Sequence, residues 1–189
     1  LVNDAVLASL AALAPQATAI GEIGLDYQVA SPSRDCQRAA FRAQLRVAVQ
    51  ARLPVLLHCR KAFADLLEIA REEGIAAAGG VLHAYSGSPE LVRECLNLNL
   101  HISLAGTVTY PNAVRPPAVA LAVPLERLLL ETDAPDLAPE PHRGTLNRPE
   151  YLLATARRVA ALRGMSVEEL ARATTRNAST LFHLPLSTP

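Results

Sequence analysis

Five short apolar runs most constrain what this chain can fold into: Thr18–Ile23, Pro54–His58, Gly80–Ala84, Leu100–Leu104 and Arg127–Glu131. Each is nearly continuous in Val, Ile and Leu rather than strictly alternating, the pattern of strands covered on both faces. Longer stretches of helical period separate them. Phe41, Leu45, Ala48 and Val49 share one face of the first, while Arg34, Arg38, Arg42 and Arg46 line another at spacing four; that stripe reads as a solvated helix face rather than a phosphate surface. Further helices fit Ala62–Glu73, Pro89–Leu96, Asn112–Ala122, Pro149–Arg163, Ser166–Ala173 and Arg176–Leu181, and Ser166 with Glu169 makes a capping box. Strand–helix alternation of this kind means βαβ units and a parallel sheet, an α/β fold. Only the segment 134–149 breaks the rhythm, with Pro135, Pro139, Pro141 and Pro149 around Arg143 and Gly144. A proline-rich loop of that length in a packed domain usually carries function.

Composition narrows the class. The chain has 189 residues, half of them apolar, so one domain with a real core is expected over 1–189. Eighteen basic residues balance eighteen acidic ones, which argues against binding nucleic acid through bulk positive charge. No apolar run approaches the roughly 20 residues of a membrane span, and no signal segment opens the sequence. Cys36, Cys59 and Cys95 make no ligand-spaced pair. Such a sparse set fits a reducing compartment, so the expected location is cytoplasmic, with no membrane partner. Asn177-Ala-Ser matches a glycosylation sequon and, without a secretory signal, is read as chance.

What ends the strands is more telling. Glu22, His58, His83 and Asp133 each stand at or just past the C-terminal end of a different run. In a parallel sheet those ends share one side, where loops converge and active sites form. Imidazoles and carboxylates together are a ligand set for a divalent metal such as Zn, Mn or Mg. Singly, each histidine could be a hydrogen-bonded core residue and Glu22 a salt-bridge partner; four coincidences at equivalent positions favour the metal. His101 opens its strand and His183 lies in the C-terminal tail, so both read as structural, while His142 in the loop stays open.

At these residues the sequence resembles the TatD-type metal-dependent DNases. Gly21-Glu-Ile-Gly-Leu-Asp-Tyr, Leu57-His-Cys-Arg, Leu82-His-Ala-Tyr-Ser-Gly and Glu131-Thr-Asp-Ala-Pro carry the likeness, with Gln37-x-x-x-Phe41-x-x-Gln44-Leu45 and Arg143-Gly-x-x-Asn147-x-Pro149. The resemblance implies a (β/α) barrel of TIM type and two-metal hydrolysis of phosphodiesters, commonly DNA; the zero net charge then argues for modest binding directed at single strands or strand ends. It implies that Glu22 bridges the metals, that His58 and His83 hold one of them, and that Asp133 holds the other and orients or deprotonates water. Arg60 and Arg143 could offset phosphate charge, or else pair with loop carboxylates.

The departures are also informative. The family's N-terminal strand bears a His-x-His pair, followed by two further βα units, and no His-x-His occurs in this sequence. A complete barrel needs about 250 residues and eight strands; five are legible here. The expectation is therefore an incomplete barrel of about five βα units: a fragment, a short form completed by another chain, or a degenerate one. It would hold one ion rather than two. An open barrel edge would either drive self-association or be covered by Leu1–Pro15, where Val6, Leu10 and Leu13 recur at helical spacing. Tyr110-Pro-Asn112 and Asp136 also differ from relatives, which often have a Lys before the Asn and an aromatic residue, respectively. Two other functions compete: a metal-dependent ester or amide hydrolase, such as one acting on acyl-tRNA, and a non-catalytic metal-binding remnant.

Overall fold

The computed structural model describes residues 2–185. Two compact units make up the chain: Leu1–Leu82 with Glu94–His101, and His83–Arg93 with Ile102–Pro189.

The first unit contains three parallel strands in chain order, β1 (Ile20–Asp26), β2 (Val55–Arg60) and β3 (Gly80–Leu82). Register places Gly24 opposite His58, Asp26 opposite Arg60 and Leu57 opposite Leu82. Helix α2 (Arg34–Ala51) connects β1 to β2, and α3 (Phe63–Glu72) connects β2 to β3. On α2 the buried positions are Gln37, Phe41, Leu45 and Ala48. Their spacing of three and four gathers them on one face, which packs on β1 and α3. Leu25, Phe41, Leu45, Leu57, Leu66 and Ile69 are fully buried there.

The arginine stripe on α2 is not simply solvated. Arg38 pairs with Asp65 at 2.8 Å, Arg42 with Glu72 at 2.6 Å and with Glu73, and Arg46 with Glu73 at 2.6 Å. Arg34 instead lies over the Tyr27 ring. The stripe is an ionic seam between α2 and α3, since the acidic residues of α3 and its C-terminal end face it. Helix α1 (Asp4–Leu13) differs from expectation as well: it lies against α2 and buries none of its residues. Val6 and Leu13 are 49% and 60% exposed, so this apolar stripe is not spent on covering a strand edge.

The second unit is built on β4 (Leu100–Leu104), through Ile102–Leu104, and β5 (Leu128–Leu130), again parallel, with Ile102 opposite Leu128. Helix α4 (Val92–Asn97) belongs from Glu94 onward to the first unit, whereas α5 (Arg115–Ala122) leads to β5. Helices α6 (Leu152–Arg163) and α7 (Val167–Phe182) follow, α6 against α5 and α7 against β5. The segments Ser166–Ala173 and Arg176–Leu181 are one helix rather than two. No Gly or Pro interrupts them, and the Thr174 hydroxyl satisfies itself on the Leu170 carbonyl at 3.0 Å. The capping box of Ser166 and Glu169 is formed. Asn177 is buried at 8% exposure, its amide donating to the Leu125 and Leu128 carbonyls at 2.7 and 2.9 Å, so the sequon is a structural clamp.

Candidate metal centre

In the first unit, the expected strand end at Ile23 is displaced: β1 runs on to Asp26, and Glu22 sits within it. Four residues of β1, from Ile20 to Ile23, are matched by three of β2, from Val55 to Leu57, a bulge at Gly21–Glu22. A bulge re-aims side chains, and here consecutive residues Gly21 and Glu22 are both exposed between buried Ile20 and Ile23. His58 stands beside this bulge on β2. Its Nδ1 is 3.9 Å from Glu22 Oε2 and its Nε2 is 3.4 Å from Asp26 Oδ2. One imidazole therefore lies between two carboxylates of the neighbouring strand. Asp26 is held in turn by Gln37, whose Oε1 accepts the Asp26 N–H at 2.8 Å while its Nε2 donates to the Asp26 carbonyl at 2.9 Å. That explains why a glutamine occupies a core-facing position of α2.

The second unit carries a matching arrangement. His83 follows β3 directly, with a side chain only 10% exposed. Its Nδ1 lies 3.5 Å from Glu131 Oε1 and 3.9 Å from Asp133 Oδ1. Ligand atoms of these three residues all fall within 4.8 Å of one another, close enough to share one ion. Glu131 also accepts the Ala84 N–H at 2.7 Å, so its carboxylate has a fixed orientation. Asp133 and Ala84 adopt left-handed backbone, with φ of 59° and 41°. Asp tolerates that region and Ala does not, a local cost typical of functional sites.

Asp26 and Glu131 were not singled out in the sequence. The signal was present: Glu131 is two residues before Asp133, the spacing that returns a side chain to the same face of an extended segment. Both carboxylates stand beside a histidine, as partners that orient a ligating imidazole and raise its basicity commonly do.

The loop after Asp133 is pinned by Asn147, whose amide donates to the Thr132 and Asp136 carbonyls at 2.6 Å each. Arg143 Cζ lies 4.3 Å from the centroid of the Tyr110 ring, and His142 stacks on Tyr151. Arg60 ends β2 and is exposed. Neither arginine makes a carboxylate pair among the described residues, so the ion-pair alternative is not what the structure has. His101 is buried as the second residue of β4, and His183 caps α7 in left-handed conformation.

Comparison with known proteins follows the same lines. Residues 3–183 match the model of the TatD related DNase family. An uncharacterized metal-dependent hydrolase, YabD of Bacillus subtilis, is 43% identical over 88% of this chain and 65% of its own length. The 3'-5' ssDNA/RNA exonuclease TatD of Citrobacter rodentium is 38% identical over 97% of this chain and 71% of its own. The crystal structure of YJJV, a TatD homolog from Escherichia coli K12, superposes with a TM-score of 0.90 at 34% identity, covering 97% of this chain and 72% of that one. The chain belongs to the TatD related DNase family. Its fold is α/β of the (β/α) barrel type, and it supplies five of the strands. It spans about 65% of the length of the curated metal-dependent hydrolases it matches.

Proposed function

We propose that this chain acts as a metal-dependent hydrolase of phosphodiester bonds in DNA, on single strands or strand ends, with Glu22, His58, His83 and Asp133 as the metal ligands. The observation that supports it most is the pairing of each histidine with carboxylates at 3.4–3.9 Å, in a chain of this family. Imidazole and carboxylate donors suit Zn, Mn or Mg. A bound divalent ion supplies a Lewis acid and acidifies water enough for attack near neutral pH. The remaining work falls to the chain. Asp133, pinned in a left-handed turn beside His83, takes the proton of the attacking water. Glu22 is presented at the exposed bulge, where the missing side chain of Gly21 lets β1 lie close against Leu56 of β2. Arg60 and Arg143 offer N–H groups to the phosphate oxygens and offset the charge that builds on them. With no His-x-His in the sequence, one tightly held ion is expected rather than two.

End-labelled single-stranded DNA incubated with the chain and Mg, Mn or Zn should be shortened, and D133N should slow this by about 10²–10⁴-fold. Turnover of an acyl ester without cleavage of any phosphodiester would overturn the reading in favour of an ester hydrolase. Neither reaction, with metal bound, would leave a non-catalytic module.

Among the described residues no helix is long and apolar enough to cross a membrane. The three cysteines are free, which suits a reducing cytoplasm. Among the described residues β1 pairs with β2 and β5 with β4, and each leaves one edge for which no partner is seen there. Edges of this kind invite pairing with a second copy, so scattered light should rise faster than concentration; strict proportionality would rule the association out.

A further inference from the structure

The loop that leaves Asp133 carries, besides the Arg143 charge already assigned to the phosphate, two aromatic contacts whose faces the hydrolytic chemistry does not use. The chain has only four tyrosines. Tyr85 is buried at 3% exposure, and the Tyr27 hydroxyl donates to Asp65. Tyr110 and Tyr151 are half-buried, and each bears a flat group from one of two adjacent loop residues. The His142 ring stacks on Tyr151 with centroids 3.7 Å apart and planes 4° from parallel. The Arg143 guanidinium lies 4.3 Å over Tyr110. The loop holding them is fixed: Asn147 ties it to Thr132, and the Glu140 N–H donates to Thr109 Oγ1 at 2.8 Å, one residue before Tyr110. Arg143 is exposed and has no carboxylate partner among the described residues.

We propose that these two stacks, His142 on Tyr151 and Arg143 on Tyr110, form a platform that binds the unpaired bases of a single-stranded nucleic acid. The proposal deepens the phosphodiesterase reading and rests on it. A guanidinium held over a ring can turn its other face to a further π-system, while its N–H groups remain available to phosphate oxygens. Stacking is tolerant of sequence because every base has a π-face, and a duplex hides those faces. Such a platform would select single strands and frayed ends without the bulk positive charge this chain lacks. Pre-stacked rings also need little ordering when a base arrives.

The test is binding, in EDTA so that nothing is cleaved. A labelled ten-nucleotide DNA strand is compared by fluorescence anisotropy with an abasic strand of the same length and charge. The intact strand should bind at least about tenfold more tightly, the scale of one or two base–aromatic stacks. Y151A, which leaves Arg143 on Tyr110, should cut the ratio to about threefold and Y151F should preserve it; should Y151A not fold, H142A serves in its place. Equal affinity of the unaltered chain for the two strands overturns the platform, as does Y151F losing the preference along with Y151A, which would point to the hydroxyl. Adding Mg or Mn separates the two readings. Cleavage of both strands with the same KM keeps the hydrolase and discards the platform. Base preference with no cleavage of either strand discards the hydrolase and leaves a single-strand binder.

Discussion

Gly24 is confined to glycine on two counts: its φ is +148°, and a Cβ there would meet the His58 carbonyl oxygen at 1.9 Å. The closeness of β1 and β2 beside the candidate ligands therefore depends on a side chain that is absent. One residue beyond His58, Cys59 is 8% exposed, and burial pushes its thiol up to about 12. The thiolate is the reactive form, so at pH 8 Cys59 stays protonated and unreactive. An unfolded thiol ionises near pH 8.5. With the native value raised above the unfolded one, the stability this thiol contributes is complete below about pH 8.5 and is lost as pH rises through about 12. At pH 8 a thiol reagent should therefore modify exposed Cys36 in the native protein, and buried Cys59 and Cys95 only once denaturant is added. Native Cys59 reacting as fast as Cys36, followed by mass spectrometry of the peptides, would contradict this.

The seam between α2 and α3 shows where an element can be read from sequence and where it cannot. Four arginines at spacing four announce a helix and a shared face. They do not announce what stands opposite, because Asp65, Glu72 and Glu73 lie 27 to 31 residues further on. The Glu73 side chain is only 10% exposed. Hydrogen bonds from Arg46, then from Arg42, outweigh its burial and hold its carboxyl below the ordinary glutamate range. A depressed carboxylate contributes stability above its unfolded pKa and loses it as pH falls through the folded value. E73Q should thus cost about 1–2 kcal/mol at pH 7 and almost nothing at pH 2. Urea midpoints at the two pH values measure this; an equal loss at both would mean that shape, not charge, matters there. The same division runs through the other elements. All five strands are legible because a run of Val, Ile and Leu between polar helices has no other home. The extension of β1 to Asp26 is not, since Gly24-Leu25-Asp26 looks like a turn until β2 is seen to pair with it. The continuity of α7 through Thr174 is hidden for a related reason: a β-branched pair looks like a break until its hydroxyl finds the turn behind it.

Taken as a whole, the chain is neutral, yet the candidate metal ligands and their neighbours are not. Glu22 and Asp26 flank His58, and Glu131 and Asp133 flank His83, so carboxylates outnumber imidazoles in each unit. Concentrated like charge costs the folded state free energy that a divalent cation returns, and an ion that binds only the folded chain stabilises it by mass action. At a free metal concentration a hundredfold above Kd the gain is about 2.7 kcal/mol. For a chain of this size that corresponds to a rise in Tm of roughly 5–10 °C. Melting curves after EDTA treatment, with and without Zn, Mn or Mg, should show it. H58A and H83A then ask how the ligands are shared. If all four proposed ligands serve one centre, either substitution removes the rise. If His83, Glu131 and Asp133 suffice by themselves, as the spacing of their ligand atoms allows, H83A removes it and H58A leaves it intact. Calorimetric titration should find about one tightly held ion per chain, because imidazole–carboxylate sets hold such ions while the His-x-His pair of the family pattern is missing from the sequence. Two tight, equivalent ions would refute the single-ion expectation, and no thermal response to any of the three metals would refute the metal centre itself.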